Sequence, residues 1–226
     1  MKVRTLSFDD CEIHDRRLCE MLRKYDLRAT FYLLTGLLGQ EVPFRRYGED
    51  TIVRRVTPEE LPFTYAGMEI GCHTRFHRFT DDHLESDIAL SLAELSEAWG
   101  KPVKGFAYPG GFYTPSQLLR LKQTDVVYAR GANPNHSFAV PEDWYQWQPT
   151  CHYADPDLPA LLDIFFALPG KTDAVFHIYG HSYELTQPDP CKNWDYLDGL
   201  FRTLAHRPGI RYATNLEAWQ LLSAPK

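Results

Sequence analysis

No apolar run in the 226 residues approaches the length of a membrane span, and the first strand-like segment begins within a few residues of Met1. That leaves no room for a secretory leader, and a cytoplasmic location is expected. Lys/Arg-rich blocks are also missing. With 24 basic against 30 acidic residues the net charge is −6, so no basic field favours nucleic acid. Cysteine is sparse and odd in number. Cys11, Cys19, Cys72, Cys151 and Cys191 form no Cys-x-x-Cys pair, which argues against a disulfide framework or a thiolate zinc site and for reduced thiols. No linker or repeat divides the chain, and 44% apolar content suffices for one sizeable core, so residues 1–226 are read as a single domain.

Strand-like and helix-like segments alternate through the chain. Val3–Phe8 is an apolar strand; Leu18, Met21, Leu22 and Tyr25 recur at helical spacing; Ala29–Leu34 returns to β character. Residues 35–56 form a polar excursion rich in arginine, too irregular for a core element and long enough for a functional loop. Thr57-Pro58-Glu59-Glu60 and Thr114-Pro115-Ser116-Gln117 carry the capping-box pattern that starts helices. Further strands are expected at 68–72, 103–107, 126–129, 174–180 and 210–213, and helices at 80–99, 158–168, 194–205 and from 214 onward. Seven strands in βα alternation imply a parallel sheet, either closed as a barrel or open and doubly wound.

In either architecture working residues gather at the carboxyl ends of strands. Asp9-Asp10, His73, Tyr108-Pro109-Gly110-Gly111, Arg130 and His181 all fall just after strands. An Asp-Asp pair alone is usually a solvated turn or a helix cap, and a lone His-x-x-x-His is nearly as weak. Their shared position makes a metal site the better reading. Two imidazoles at i and i+4, on one face of a helical turn, plus a carboxylate leave a coordination position open for water, and a second carboxylate is then placed to take a proton.

These motifs resemble the polysaccharide deacetylases, carbohydrate esterase family 4. The resemblance covers essentially the whole chain and implies a distorted (β/α)7 barrel with parallel strands. Ser7-Phe8-Asp9-Asp10-Cys11 resembles the family's Thr-Phe-Asp-Asp-Gly, with cysteine in the glycine's place, and implies Asp9 as catalytic base and Asp10 as metal ligand. His73-Thr74-Arg75-Phe76-His77 matches His-Ser/Thr-x-x-His and implies the other two ligands. Ala107-Tyr108-Pro109-Gly110-Gly111 matches Arg-Pro-Pro-Tyr-Gly only in part. It places Tyr108, Pro109 and Gly110 on the oxyanion and substrate side, with the Gly110 N–H as oxyanion donor. The family arginine that steadies the base has no local counterpart, and Arg130 is the candidate substitute.

The family's late histidine, the general acid, has two candidates, His177 and His181. His181 is preferred because it lies nearer the strand's carboxyl end, with His177 read as a core or supporting histidine; Glu184 is a candidate to orient His181, although an exposed glutamate after a strand is the commoner case. Phe112, Tyr113, Trp144, Trp147 and Tyr183 are candidates for stacking on sugar rings, although core packing is the commoner fate of such residues.

The resemblance implies hydrolysis of an N-acyl amide, most naturally an N-acetyl amino sugar or its oligosaccharide. The ligand set suits zinc first, with cobalt, nickel or iron(II) also compatible. Other readings are a hydrolase of ureides or formamides, a degenerate carbohydrate-binding domain, and an iron(II) oxygenase. The βα alternation speaks against the oxygenase, and retention of Asp9, Asp10, His73, His77 and His181 against the degenerate domain.

Overall fold

The computed structural model describes residues 1–187 and 189–223. In chain order the elements are β1 (Lys2–Asp9), α1 (Asp15–Lys24), β2 (Thr30–Leu33), a hairpin of β3 (Glu41–Arg46) and β4 (Glu49–Arg54), α2 (Leu61–Thr64), β5 (Glu69–Cys72), α3 (Leu84–Trp99), β6 (Gly105–Ala107), α4 (Pro115–Leu121), β7 (Tyr128–Arg130), β8 (Cys151–His152), α5 (Leu158–Ala167), β9 (Ala174–His181), α6 (Trp194–Leu204), β10 (Ile210–Tyr212) and α7 (Asn215–Leu222). No described helix is long and apolar enough to cross a membrane.

β1 is buried along its whole length and organises the sheet. It pairs with β9 over all eight residues, while its other edge is shared by β10 at Lys2–Arg4 and β2 at Ser7–Asp9. The sheet runs β7-β6-β5-β2-β1-β9-β8, and every pairing in it is parallel. Residues 147–153 then draw the two edges together: Gly131 N donates to Trp147 O (2.9 Å), Thr150 N to His177 O (2.8 Å) and Tyr153 N to Tyr179 O (3.0 Å). The sheet therefore curls into the expected distorted (β/α)7 barrel.

One core lies between the sheet and the helices, where Leu18, Cys19 and Leu22 of α1 meet Phe8 and Phe31, and a smaller one fills the barrel. Inside the barrel, Tyr32 and Tyr128 occupy space left by Gly71 and Gly105, where a Cβ would stand 2.4 Å and 2.1 Å from their side chains. Tyr128 Oη donates to Glu69 Oε1 (2.7 Å), Thr30 Oγ1 to Glu69 Oε2 (2.7 Å) and Asn215 Nδ2 to Tyr32 Oη (2.8 Å). The Leu216 N–H of α7 also reaches Glu69 (2.9 Å), so this network plugs the amino end of the barrel and leaves the carboxyl end for a site.

Several expectations are corrected. Residues 41–54 are no irregular loop but an antiparallel hairpin, mostly exposed, with Val53 its one buried residue. Alternation is blurred there because the hairpin has no core face to bury. The helix expected from Thr80 starts at Leu84, after His83 adopts φ 60°. Two-residue β8, too short to show a pattern, was not anticipated. His73 and His77 do not share a helical turn; Thr74 (φ 68°) and His77 (φ 58°) take left-handed conformations in a loop that folds the second imidazole back over the first.

Candidate active site

The strand ends bring most of the expected residues together. Asp9 and His181 are direct register partners at the tips of β1 and β9. His73 follows β5, and Arg130 is the last residue of β7. Asp10 (φ 80°) and Cys11 (φ 49°) turn sharply out of β1, and Asp9 Oδ2 and Asp10 Oδ1 both stand 3.9 Å from His73 Nε2.

Asp10, His73 and His77 converge, with one donor atom from each lying within 4.8 Å of the others. Asp10 Oδ1 stands 3.9 Å from both His73 Nε2 and His77 Nε2. Two ligand atoms about 2.1 Å from a cation at a tetrahedral angle stand about 3.4 Å apart, so the spacing fits a divalent ion after small adjustments. His73 Nδ1 lies 2.8 Å from Ala107 O, which fixes the tautomer that leaves Nε2 free as a ligand. Burial lowers the His73 pKa against the pull of Asp9 and Asp10, which keeps the ring neutral as a ligand must be. His77 is exposed, at the open side of the site.

Asp9 differs from Asp10 in having a buried cation beside it. Arg130, wholly buried, forms an ion pair with Asp9 Oδ1 and donates to Gly131 O (3.1 Å), while its guanidinium lies 4.7 Å from the Tyr32 ring centre. Burial opposes the charge on Asp9, yet Arg130, His73 and His181 outweigh it and hold the carboxyl below the usual carboxylate range. Arg130, read as a substitute for the missing family arginine, thus does contact Asp9; being fully buried, it offers nothing directly to a substrate.

His181 is partly exposed, with Nδ1 3.4 Å from Glu184 Oε1. Burial works against its charged form, but the carboxylates of Glu184, Asp10 and Asp9 prevail and raise its pKa to about 9. Glu184 also accepts from the His181 N–H (3.2 Å) and pairs with His152 Nε2 (2.9 Å). His152 was not singled out from the sequence, where nothing marks its approach from β8. His177 is fully buried, with Nε2 2.8 Å from Ser7 Oγ and its ring against Trp147. Burial, then Arg130, push its pKa well down.

Tyr108 differs from its expected role. Its N–H donates to Arg130 O (3.0 Å), its hydroxyl to Tyr145 O (3.0 Å), and its ring is buried against Phe79, Phe106 and Tyr113, so it has no free group to offer a substrate. Pro109 and Gly110 line a depression of about 390 Å³ beside His77, together with Phe112. Of the five candidate stacking aromatics, only Phe112 is openly exposed; Trp144 and Trp147 lie in the barrel core and Tyr183 is covered by Arg46. On the other side of His77 a cavity of about 600 Å³ extends from Asp10 to the β3–β4 hairpin.

A parallel barrel with a two-histidine, one-aspartate cluster and an adjoining buried Asp–Arg pair at its carboxyl end defines a metal-dependent hydrolase. A family model described as polysaccharide deacetylase matches residues 1–129, and the chain belongs to that family of divalent-metal-dependent deacetylases of acetylated glycans. Similar solved structures include a family 4 acetyl xylan esterase from Clostridium thermocellum in complex with a cobalt ion, 21% identical, with a TM-score of 0.61 over 99% of this chain and 93% of that one. The Xyl-CE4 domain of a multidomain xylanase from the hindgut metagenome of Trinervitermes trinervoides is 15% identical, with a TM-score of 0.61 over 99% and 92%. The Streptococcus pyogenes deacetylase PplD in complex with acetate is 20% identical, with a TM-score of 0.52 over 63% and 61%. A search of curated proteins returned no match.

Proposed function

We propose that the protein hydrolyses the N-acetyl amide of an amino sugar within a glycan or glycoconjugate. The observation that carries this reading is the pairing of Asp9 with Arg130 beside the Asp10, His73, His77 cluster, which supports Asp9 as base and the other three as ligands. Asp10, His73 and His77 would hold a divalent cation, zinc in our assignment, which would supply Lewis acidity toward the acyl carbonyl and water. Asp9 accepts the proton of the attacking water, and Arg130 keeps that carboxylate ionised and aimed. The Gly110 N–H is assigned to the developing oxyanion. His181, charged at neutral pH, delivers a proton to the departing amine while Glu184, itself paired with His152, orients its ring.

Cobalt, nickel or iron(II) suits the same donor set, and metal analysis of the purified protein distinguishes them. The test is acetate release from N-acetylglucosamine oligosaccharides, O-acetylated xylan, ureides and formamides by protein loaded with each metal. Release from the N-acetylated glycans above the others supports the reading. Turnover of the ester, ureide or formamide alone replaces it, and turnover of none favours a degenerate binding domain.

A further inference from the structure

The larger cavity beside the metal cluster carries three arginines, and they are not equivalent. Arg46 is neutralised, because Nη1 and Nη2 donate to Glu12 at 3.2 and 2.5 Å while its guanidinium lies over the Tyr183 ring at 3.6 Å. Arg45 is exposed at the hairpin tip and is occupied by Asp50 (3.3 Å) and Gly48 O (2.9 Å). Arg55 has neither arrangement. Its Nε and Nη1 are shielded from solvent without a hydrogen-bond partner, no described carboxylate pairs with it, and it lines the same cavity as Asp10 and His77.

A guanidinium without a partner is costly to leave unpaired, and it is a strong receptor for carboxylate or phosphate. Its backbone is also well anchored. Residues 54–56 pair with 11–13, through Ile13 N to Arg54 O (2.9 Å), Val56 N to Cys11 O (3.0 Å) and the Glu12–Arg55 bridge. Arg55 therefore sits a short, rigid step from Asp10, although it belongs to the polar excursion. The cavity, about 600 Å³, falls within the roughly 300–1,000 Å³ of small-molecule sites.

We propose that Arg55 is an anion-recognition residue of the active-site cavity, selecting N-acylated substrates that carry a carboxylate or phosphate group one sugar unit or less from the scissile acyl group. The identity of the bond broken rests on the deacetylase reading; recognition of the anion does not. In a protein of net charge −6 such a residue offsets the general repulsion of an anionic substrate.

The test measures binding and turnover separately. Zinc-loaded Asp9→Asn protein, with and without Arg55→Gln, is titrated with N-acetylglucosamine, N-acetylglucosamine 6-phosphate and N-acetylmuramic acid. The expected result is tighter binding of at least one anionic sugar than of the neutral one, weakened roughly 10- to 100-fold by Arg55→Gln with the neutral sugar unchanged. Preference for the phosphorylated or the carboxylated sugar identifies the anion. Equal affinity for charged and neutral sugars, or an anionic preference that survives Arg55→Gln, overturns the proposal; the latter would place the anion on the metal. Arg55→Lys, which keeps charge but loses the fork, is expected to retain part of the preference. If binding behaves as stated and Asp9-intact enzyme releases no acetate from these sugars or from N-acetylglucosamine oligosaccharides, the deacetylase reading fails and the anion site stands.

Discussion

The barrel mouth and the β3–β4 hairpin face each other across one cavity and are built in opposite ways. At the mouth, Asp9, His73 and Arg130 are buried on or beside the ends of three parallel strands, each held by an ion pair or a backbone contact. In the hairpin, the twelve strand residues form their ladder with each other, most are exposed, and the link back to the barrel runs through Arg54 O, which accepts from Ile13 N, and the Arg46–Glu12 ion pair. The contrast separates two tasks. Proton transfer needs groups fixed to fractions of an ångström in a low-dielectric setting, which a closed sheet supplies. Recognition of a substrate's outer part tolerates a peripheral attachment, provided it is anchored at its root as Arg55 is.

The largest blow to the mouth is loss of a ligand. His73→Ala is expected to abolish stoichiometric zinc binding and all turnover, read by metal analysis beside an acetate assay; retained zinc with full activity would place the metal elsewhere. Arg130→Met leaves Asp9 buried without its cation, which should cost about 3–5 kcal/mol of stability in denaturant unfolding as well as most of the activity. A change under about 1 kcal/mol would mean the pair behaves like a surface ion pair.

Glu184→Gln is a milder probe. Glu184 is the strongest of the influences that raise His181, so its removal should lower the His181 pKa. A general acid must hold its proton, so the alkaline limb of kcat/KM should move to lower pH; an unmoved limb would release His181 from that role. On the other side of the comparison, replacing residues 41–54 with a two-glycine bridge is feasible because Arg55 N already donates to Gln40 O (3.2 Å). That variant should keep its zinc and lose less than about tenfold in kcat/KM on a neutral acetylated sugar, the scale of peripheral binding contacts. A loss as large as that of a catalytic residue would erase the distinction between the two walls.

The smallest effect concerns Asp15, a buried carboxyl near the mouth that lacks a counterpart to Arg130. Burial, against the hydrogen bond from Tyr65 (2.7 Å), raises its pKa from 3.8 to about 7. The folded state therefore holds a proton that the unfolded chain has already lost, and this contribution to stability is present at low pH and declines as pH rises toward about 7. Asp15→Asn should flatten that decline in unfolding free energy measured across the interval; an unchanged slope would show that Asp15 is ionised in the native protein.

The strand-end chemistry was legible in the sequence because Asp9-Asp10 and His73/His77 are local patterns at the ends of apolar runs. The link between Arg130 and Asp9 is not local: the two residues lie 121 positions apart and meet only when the sheet curls. His177 and His181 share a strand face, and depth alone separates them, with His177 against Ser7 and Trp147 and His181 at the rim. Tyr108 misled because a motif gives position along the chain but not which way a ring turns. The hairpin was hidden for another reason, since Pro43, Arg45 and Arg46 interrupt any alternation and no buried face enforces one.

The division of labour between neighbouring aspartates is most directly tested by Asp9→Asn in zinc-loaded protein, scored together for bound metal and for acetate released from N-acetylglucosamine oligosaccharides. Asp9 as base and Asp10 as ligand require one zinc per chain to remain while turnover falls about 10²- to 10⁴-fold. Turnover undiminished by Asp9→Asn, or zinc lost with it, would contradict that assignment.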